Sequence, residues 1–317
     1  DYYLSKKDLK AAALWVKTRD KRDKSDNKRS KRQTKKLAKT FIKIAEMERG
    51  TNYVIKDFVE LSISAAASMF FDAEDYRNSI KYRDELILMN PTFNEDGILY
   101  SLNAYAYENL KEYETALTYI DSVIVINNKN GNYKAEASGY RQAAYIYSNQ
   151  LDEVNKGAKY METSYYIDPS SVDIEDSNNF GWIDDIYALK IQENDIDGLF
   201  MFTKFLKKIG TERKNPLFNL RIDFTEAMLM AASDRIYSET KLYKIIEQYE
   251  NLPTLDGQII LDAYEGLIAI LGMNIENSEK VNKIVDKGVE RSKDEEKHFF
   301  YHHQFRYKKY VTLEDWN

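Results

Sequence analysis

Two stretches of this chain repeat each other at a fixed distance, and that feature limits how it can fold more than any other. Glu74-Asp-Tyr76-Arg-Asn-Ser79-Ile80-Lys-Tyr82 runs on to Asn90-Pro91; 37 residues later Lys111-Glu-Tyr113-Glu-Thr-Ala116-Leu117-Thr-Tyr119 runs on to Asn127-Asn128. A looser third copy extends from Asp152 through Gly157, Ala158 and Tyr160 to Asp168-Pro169. A unit of this length cannot bury its apolar face alone, so repeated units must stack to make a continuous core.

The apolar spacing says what the units are made of. Leu9, Ala12, Ala13 and Val16 fall at i, i+3, i+4 and i+7 behind Ser5-Lys-Lys-Asp8, which has the spacing of a capping box, and predict a helix over about 3–17. Leu37, Phe41, Ile44 and Ala45 predict a second over roughly 27–48, closed by Gly50. Beyond it, striped stretches alternate with polar breaks at Asp72–Glu74, Asn90–Asn94, Asn127–Asn132, Asp168–Ser177, Gly210–Asn215, Leu252–Thr254 and Asn274–Ser278. Thr92-Phe-Asn-Glu95, Ser292-Lys-Asp-Glu295 and Asn215-Pro216 read as helix starts. With 12 Gly and 4 Pro in 317 residues, the chain is too poor in turn formers for a many-stranded sheet. The expectation is all-α, with about fifteen helices.

The repeated residues resemble the tetratricopeptide repeat, a helical hairpin of about 34 residues with small side chains where its two helices cross. Ala67 and Ala104 take the tight position in the first helix, Ser79 and Ala116 the matching one in the second, and Phe70 and Tyr107 follow Ala67 and Ala104 by three residues. The resemblance covers residues 60–171. Over 177–291 Trp182, Ile186, Leu189, Leu199 and Leu206 keep a hairpin pattern without the signature positions. It implies a right-handed solenoid of antiparallel helical hairpins with irregular terminal caps. The chain then divides into a basic helical pair over 1–50, repeats over 51–175, and degenerate hairpins over 176–317. The last of these ends in a capping helix of roughly 293–311.

Charge is unevenly placed. Residues 1–50 hold 17 Lys and Arg against 7 Asp and Glu, a balance of +10, which leaves −16 for the rest of a chain whose net charge is −6. The basic run between Lys17 and Lys43 could meet nucleic acid or an anionic surface, but that reading has few supporting features. Trp15 is the only aromatic residue between Tyr3 and Phe41, so stacking platforms for bases are missing, and Asp20, Asp23 and Asp26 interrupt the run. The longest apolar candidate, the uncharged stretch Leu61–Phe71, falls well short of the roughly 20 residues a membrane span needs. With no initial Met and no secretory signal, the chain reads as a processed or excised piece, which leaves its location unassigned.

Residues with a chemical role are scarce. There is no cysteine, no phosphate-binding glycine motif and no nucleophile elbow. His298 and His302 share a helix face one turn beyond Glu295, but His298 precedes Phe299, so H-E-x-x-H is absent and a polar stripe accounts for them. Adjacent carboxylates such as Asp184/Asp185 and Glu295/Glu296 point about 100° apart on a helix and do not converge. No catalytic residue, metal or cofactor is assigned.

Tyrosine stands out instead, at 25 residues. The resemblance places the first helices of each hairpin along a concave groove that binds a peptide or protein. Its lining would be Ser64, Ser68, Ser101, Tyr105, Glu108, Asn109, Arg141, Tyr145, Ser148 and Asn149. Tyr offers a large contact area at low rotamer cost and, like Arg, concentrates binding energy. Tyr107 and Tyr147 are expected to pack between helices instead. Some relatives of this kind grip a C-terminal dicarboxylate with Lys and Asn; here Ser64, Ser68, Ser138 and Gln142 take those places, which speaks against chaperone-tail recognition. The expected function is therefore a non-catalytic scaffold or adaptor. The alternatives are the ligand-sensing portion of a larger bacterial signalling protein, or nucleic-acid binding through 17–43.

Overall fold

The computed structural model describes residues 6–23, 30–49, 56–174, 179–249, 258–271 and 278–291. They form fourteen α-helices and no strand. Unit 1, Asp1–Val172, holds α1 (Lys6–Asp23), α2 (Lys31–Glu48), α3 (Lys56–Asp72), α4 (Tyr76–Met89), α5 (Ile98–Asn109), α6 (Tyr113–Asn130), α7 (Tyr133–Gln150) and α8 (Val154–Ile167). Unit 2, Asp173–Asn317, holds α9 (Asn179–Gln192), α10 (Ile196–Glu212), α11 (Pro216–Met230), α12 (Arg235–Tyr249), α13 (Gln258–Leu271) and α14 (Ser278–Arg291). Within each unit every helix packs mainly against the next one in the chain.

One connection recurs. Three residues join α3 to α4, α5 to α6, α7 to α8, α9 to α10 and α10 to α11. In each link one non-glycine residue sits in the left-handed region: Glu74 (φ 58°), Lys111 (60°), Asp152 (59°), Asn194 (57°) and Lys214 (54°). At four of the links two backbone N–H groups turn back onto the finished helix. Lys111 N–H donates to Glu108 O (2.9 Å) and Glu112 N–H to Tyr107 O (2.9 Å), while Glu74 and Asp75 bond Phe71 and Phe70 in the same way. This double closure satisfies carbonyls the helix end would leave open. The third link is one residue looser, with Glu153 N–H reaching Tyr147 O (2.8 Å), which accounts for part of the longer spacing between the second and third copies. A link this short returns the chain antiparallel at once.

The crossing of each pair is tight because its side chains are small. Ala104 and Ala116 are fully buried, as are Ala67 and Ser79, and the Ser79 hydroxyl donates to Ala67 O (2.7 Å). The third pair has Ala144 against Gly157, where an added Cβ would lie 2.9 Å from Ala144 O and 2.0 Å from Ser148 Oγ. Three residues past each tight position an aromatic ring meets the second helix: Phe70 on Tyr82 (5.5 Å between centroids), Tyr107 on Tyr119 (5.3 Å) and Tyr147 on Tyr160 (5.1 Å). Each such pair contributes about 0.5–1.5 kcal/mol beyond the area it buries.

Helices α1 and α2 share a core with α3, formed by Ala11, Ala38, Phe41, Ile44, Ala66, Met69 and Phe70. In unit 2 Trp182, Ile186, Leu189, Leu199 and Leu206 are buried, and the apolar faces of α11 to α14 meet around Leu220, Leu242, Tyr264, Leu267 and Val285.

Several boundaries differ from expectation. The first helix runs on to Asp23, because nothing in Lys17–Arg22 breaks it. The second begins at Lys31, not near 27, since Ser30 and Gln33 form a reciprocal capping box. Helix α6 continues to Asn130, so the break at Asn127–Asn132 shrinks to Gly131 and Asn132. Thr92 does not cap α5. Pro91 starts a short 3-10 turn (Pro91–Asn94), the Asn90 side chain accepts from Thr92 N–H (3.2 Å), and Asn94 Oδ1 accepts from Leu99 N–H (2.8 Å). Asn215 does cap α11, accepting from Phe218 N–H (3.0 Å). The signals at Ser5, Gly50, Leu252–Thr254 and Ser292–Glu295 lie outside the described residues, as does the helix expected over 293–311.

Two substitutions test this geometry. Lys111→Gly removes a side chain from a backbone angle that disfavours it and should raise stability by about 0.5–1 kcal/mol in urea melts. Gly157→Ala, although a better helix former, should lower it by about 1–3 kcal/mol because its methyl meets backbone.

Candidate functional site

The residues expected to line a groove fall on α3, α5 and α7 at equivalent positions. Ser68, Tyr105 and Tyr145 correspond, one per helix, as do Ser64, Ser101 and Arg141. Tyr105 is 51% exposed and Tyr145 47%; Ile98 (53%) stands two turns before Tyr105, and Leu61 (48%) two turns before Ser68 at the matching position of α3. Asn109 and Asn149 are exposed beside them. Tyr147 is buried and Tyr107 half-buried. Residues two apart on a helix point about 200° apart, so Tyr105 and Tyr107 necessarily face opposite ways.

Neighbouring helices hold parts of this face. Tyr105 rests on Phe71 of α3 (5.6 Å, tilted), and the Tyr76 hydroxyl donates to Asn109 Oδ1 (3.2 Å). The Arg83 guanidinium lies 5.1 Å from the centre of the Phe71 ring and donates to Leu102 O (2.9 Å). Burial pushes Arg83 down to about 10, against the pull of Asp72 and Asp84. Arg141 turns partly away from solvent, donating to Ser164 Oγ (3.3 Å) of α8. Ser148 does not present its hydroxyl to the outer face: its Oγ is buried against Gly157, because the glycine leaves room there. Glu108 is half-buried.

Ser64 is half-buried and Ser68 exposed, and both border a cleft. With Leu61, Met69 and Asp72 they form one wall of a cleft of about 750 Å³; the other wall is α1, contributing Trp15, Arg19 and Arg22. Arg19 lies over the Trp15 ring, 5.2 Å from its centroid. Sequence reasoning missed this cleft. The signal was present, since Trp15, Arg19 and Arg22 stand at i, i+4 and i+7 on one helix face.

Two of the six basic residues of α2, and Arg49 just past its end, pair with the next hairpin. Lys31 pairs with Glu74, Arg49 with Glu85, and Lys35 Nζ lies 2.5 Å from Asp75 Oδ2. Burial alone would raise Asp75, but hydrogen bonds from Lys35 and from Asn78 outweigh it and hold the carboxyl below its usual range. Asp84 goes the other way. Burial raises it although Asn103 Nδ2 (2.7 Å) and the Tyr119 hydroxyl (3.3 Å) both donate to it. Burial, together with Asp84, in turn raises Tyr119.

Unit 2 has a second cavity, about 730 Å³, lined by Lys207, Asp223, Tyr237, Thr240, Lys241 and Lys244 among others. Asp223 accepts from Lys207 (2.7 Å) and pairs with Lys241 (3.1 Å); Lys241 also pairs with Glu226, which accepts from the Tyr237 hydroxyl (2.7 Å). Burial lowers Lys241 despite Asp223. These groups satisfy one another and tie α10, α11 and α12 together. Asp184 and Asp185 are both raised, chiefly by burial, with Arg221 opposing the shift at Asp184. Among the described residues no three His, Asp or Glu side chains are placed to hold a metal, and no helix is long and apolar enough to cross a membrane. His298, His302, His303 and Glu295 lie outside the described residues.

No protein-family model matches this chain, and no curated protein matches it in sequence.

The opposite shifts give a pH test. Asp75, lowered on folding, contributes stability above its unfolded value that is lost as pH falls through its folded value; Asp84, raised, contributes less as pH rises. Asp75→Asn should therefore flatten the loss of stability between neutral pH and about pH 3 in urea melts, and Asp84→Asn should steepen it.

Proposed function

We propose that unit 1 is a non-catalytic binding module that holds a peptide or a protein segment along the outer face of α3, α5 and α7. Its architecture is read as a right-handed solenoid of antiparallel hairpins resembling tetratricopeptide repeats. The left-handed residues at 74, 111 and 152 and the small crossings Ala67/Ser79, Ala104/Ala116 and Ala144/Gly157 support that reading, because they recur at the repeat spacing.

One observation carries the functional reading: Tyr105 and Tyr145 occupy equivalent positions on successive first helices and both leave about half their surface in water. Leu61 and Ile98, equally exposed, correspond in the same way. Aromatic and apolar groups repeated along one line offer an extended segment a series of contact points, one set per first helix. Scattered exposed apolar residues need no explanation; a row in register does. The bonded carboxylates at Asp84, Asp223 and Glu226 read as ties between helices, not as acid–base groups.

Selection from a random dodecapeptide display library against the full chain provides the test. Bound peptides should lose affinity about tenfold on Tyr105→Ala and on Tyr145→Ala, by fluorescence anisotropy, while unfolding midpoints stay within about 1 kcal/mol of the parent. Peptides that bind both variants as tightly as the parent would sink the reading.

A further inference from the structure

We propose that the outward face of α2 is a docking surface for an anionic lipid bilayer, made by Arg32, Lys36, Lys39 and Lys43. It lies on a different helix from the peptide-binding face and stands apart from that reading.

Geometry sorts the cations of α2 into two groups. Lys31 and Lys35, with Arg49 just past the helix end, lie on one flank and pair with Glu74, Asp75 and Glu85 of the next hairpin. Arg32, Lys36, Lys39 and Lys43 stand at i, i+4, i+7 and i+11, within about 60° of one another around the axis, and form one row about 16 Å long. All four are exposed, and among the described residues none has a side-chain partner. Ala38, Phe41 and Ala45, on the opposite side of the helix, are buried in the cores shared with α1 and α3, which turns the row toward solvent. Glu46, one turn past Lys43, ends it. The flank pairs also neutralise the carboxylates that the next hairpin brings up to α2, so on that side the field of the row stands uncancelled.

The composition of the row selects the partner. Three of its four members are lysines, compact point charges without the planar fork that fixes one carboxylate or phosphate. No aromatic or amide side chain stands in the row. Protein interfaces are poor in lysine and anchored by Tyr, Trp and Arg, and sites for single-stranded nucleic acid stack bases on aromatic rings. An anionic leaflet needs neither. It attracts by summed charge, with affinity rising about fivefold for each Lys or Arg brought to its surface. Residues 1–50 carry a balance of +10 and the rest −16, so such a surface attracts this segment and repels the remainder.

The test is cosedimentation of the full chain with vesicles of phosphatidylcholine alone or in equal mixture with phosphatidylserine. Salt is set at about 0.1 M and about 1 M, where charges are screened beyond about 10 Å and about 3 Å. Three variants accompany the parent: Arg32→Gln/Lys36→Gln/Lys39→Gln/Lys43→Gln, the single reversal Lys39→Glu, and Lys129→Gln/Lys134→Gln/Lys204→Gln/Lys244→Gln, which removes as many exposed charges elsewhere. The parent should bind the mixed vesicles and not phosphatidylcholine at the lower salt, and release them at the higher. The row variant should bind about a hundredfold more weakly, Lys39→Glu about twentyfold, and the scattered variant within about threefold of the parent. Lys39 is a single exposed position, so its reversal decides the matter even if the quadruple row variant loses its fold. A parent that stays in the supernatant at the lower salt overturns the proposal, as does a scattered variant that loses as much affinity as the row variant. Duplex DNA or polyglutamate bound through the same row more tightly than the mixed vesicles overturns the bilayer as its partner.

Discussion

The close crossing of paired helices is the constraint on which the rest of unit 1 depends. Ala67 with Ser79, Ala104 with Ala116 and Ala144 with Gly157 let two backbones approach where larger side chains would hold them apart. Close approach permits a three-residue link, and that link forces one residue into the left-handed region. Three non-glycine residues of unit 1 accept that conformation, each at a cost of about 1–3 kcal/mol, which the crossing and the backbone closure must offset. It also sets which way the first helix faces. Once its small residues are against the second helix, the positions about half a turn away have nowhere to point but outward.

Polar groups are used in the same economical way. Asp84 is costly to bury, and the structure limits that cost by bringing donors from two other helices, Asn103 and Tyr119. One carboxylate thus fixes the mutual setting of α4, α5 and α6 at three points that apolar packing alone would leave free to slide. In unit 2, Asp223, Glu226, Lys207, Lys241 and Tyr237 do this for α10, α11 and α12. Such a network adds little net stability relative to well-packed apolar residues, and its value lies in specifying one arrangement.

The repeat, the all-helical class and the small crossing residues were legible because they depend on short-range pattern: spacing of 3 and 4 for the helices and 37 for the hairpins. Helix ends were read less well where side chains competed. Thr92 had the right spacing to cap a helix, yet Pro91 and Asn94 settled the turn first. The reciprocal cap at Ser30 and Gln33 has the spacing of a capping box but stands within the basic run, and the apolar spacing puts the helix start near 27 instead. The shared face of Trp15, Arg19 and Arg22 on α1 was legible in their spacing, but its placement opposite α3 and the lysine–carboxylate network of unit 2 were not, because each joins residues whose proximity only the tertiary fold decides. Ser148 shows the reverse case, a position that pattern puts on the outer face and a missing Cβ on the neighbouring helix draws inward.

The tyrosines separate into two populations for a geometric reason. Tyr107 and Tyr147 lie three residues past the tight crossing and fall on its side of the helix, where the second helix supplies Tyr119 and Tyr160 as ring partners. Tyr105 and Tyr145 stand two residues earlier, and a rotation of about 200° puts them on the far side. The first pair is therefore aromatic within the crossing, while Tyr105 rests only on Phe71 of the neighbouring first helix and keeps about half its surface in water, as Tyr145 does. Serine at the equivalent position of α3, Ser68, shows that the hairpin tolerates a small polar residue there. In the proposed binding module, these half-exposed rings are the surface that meets the bound segment.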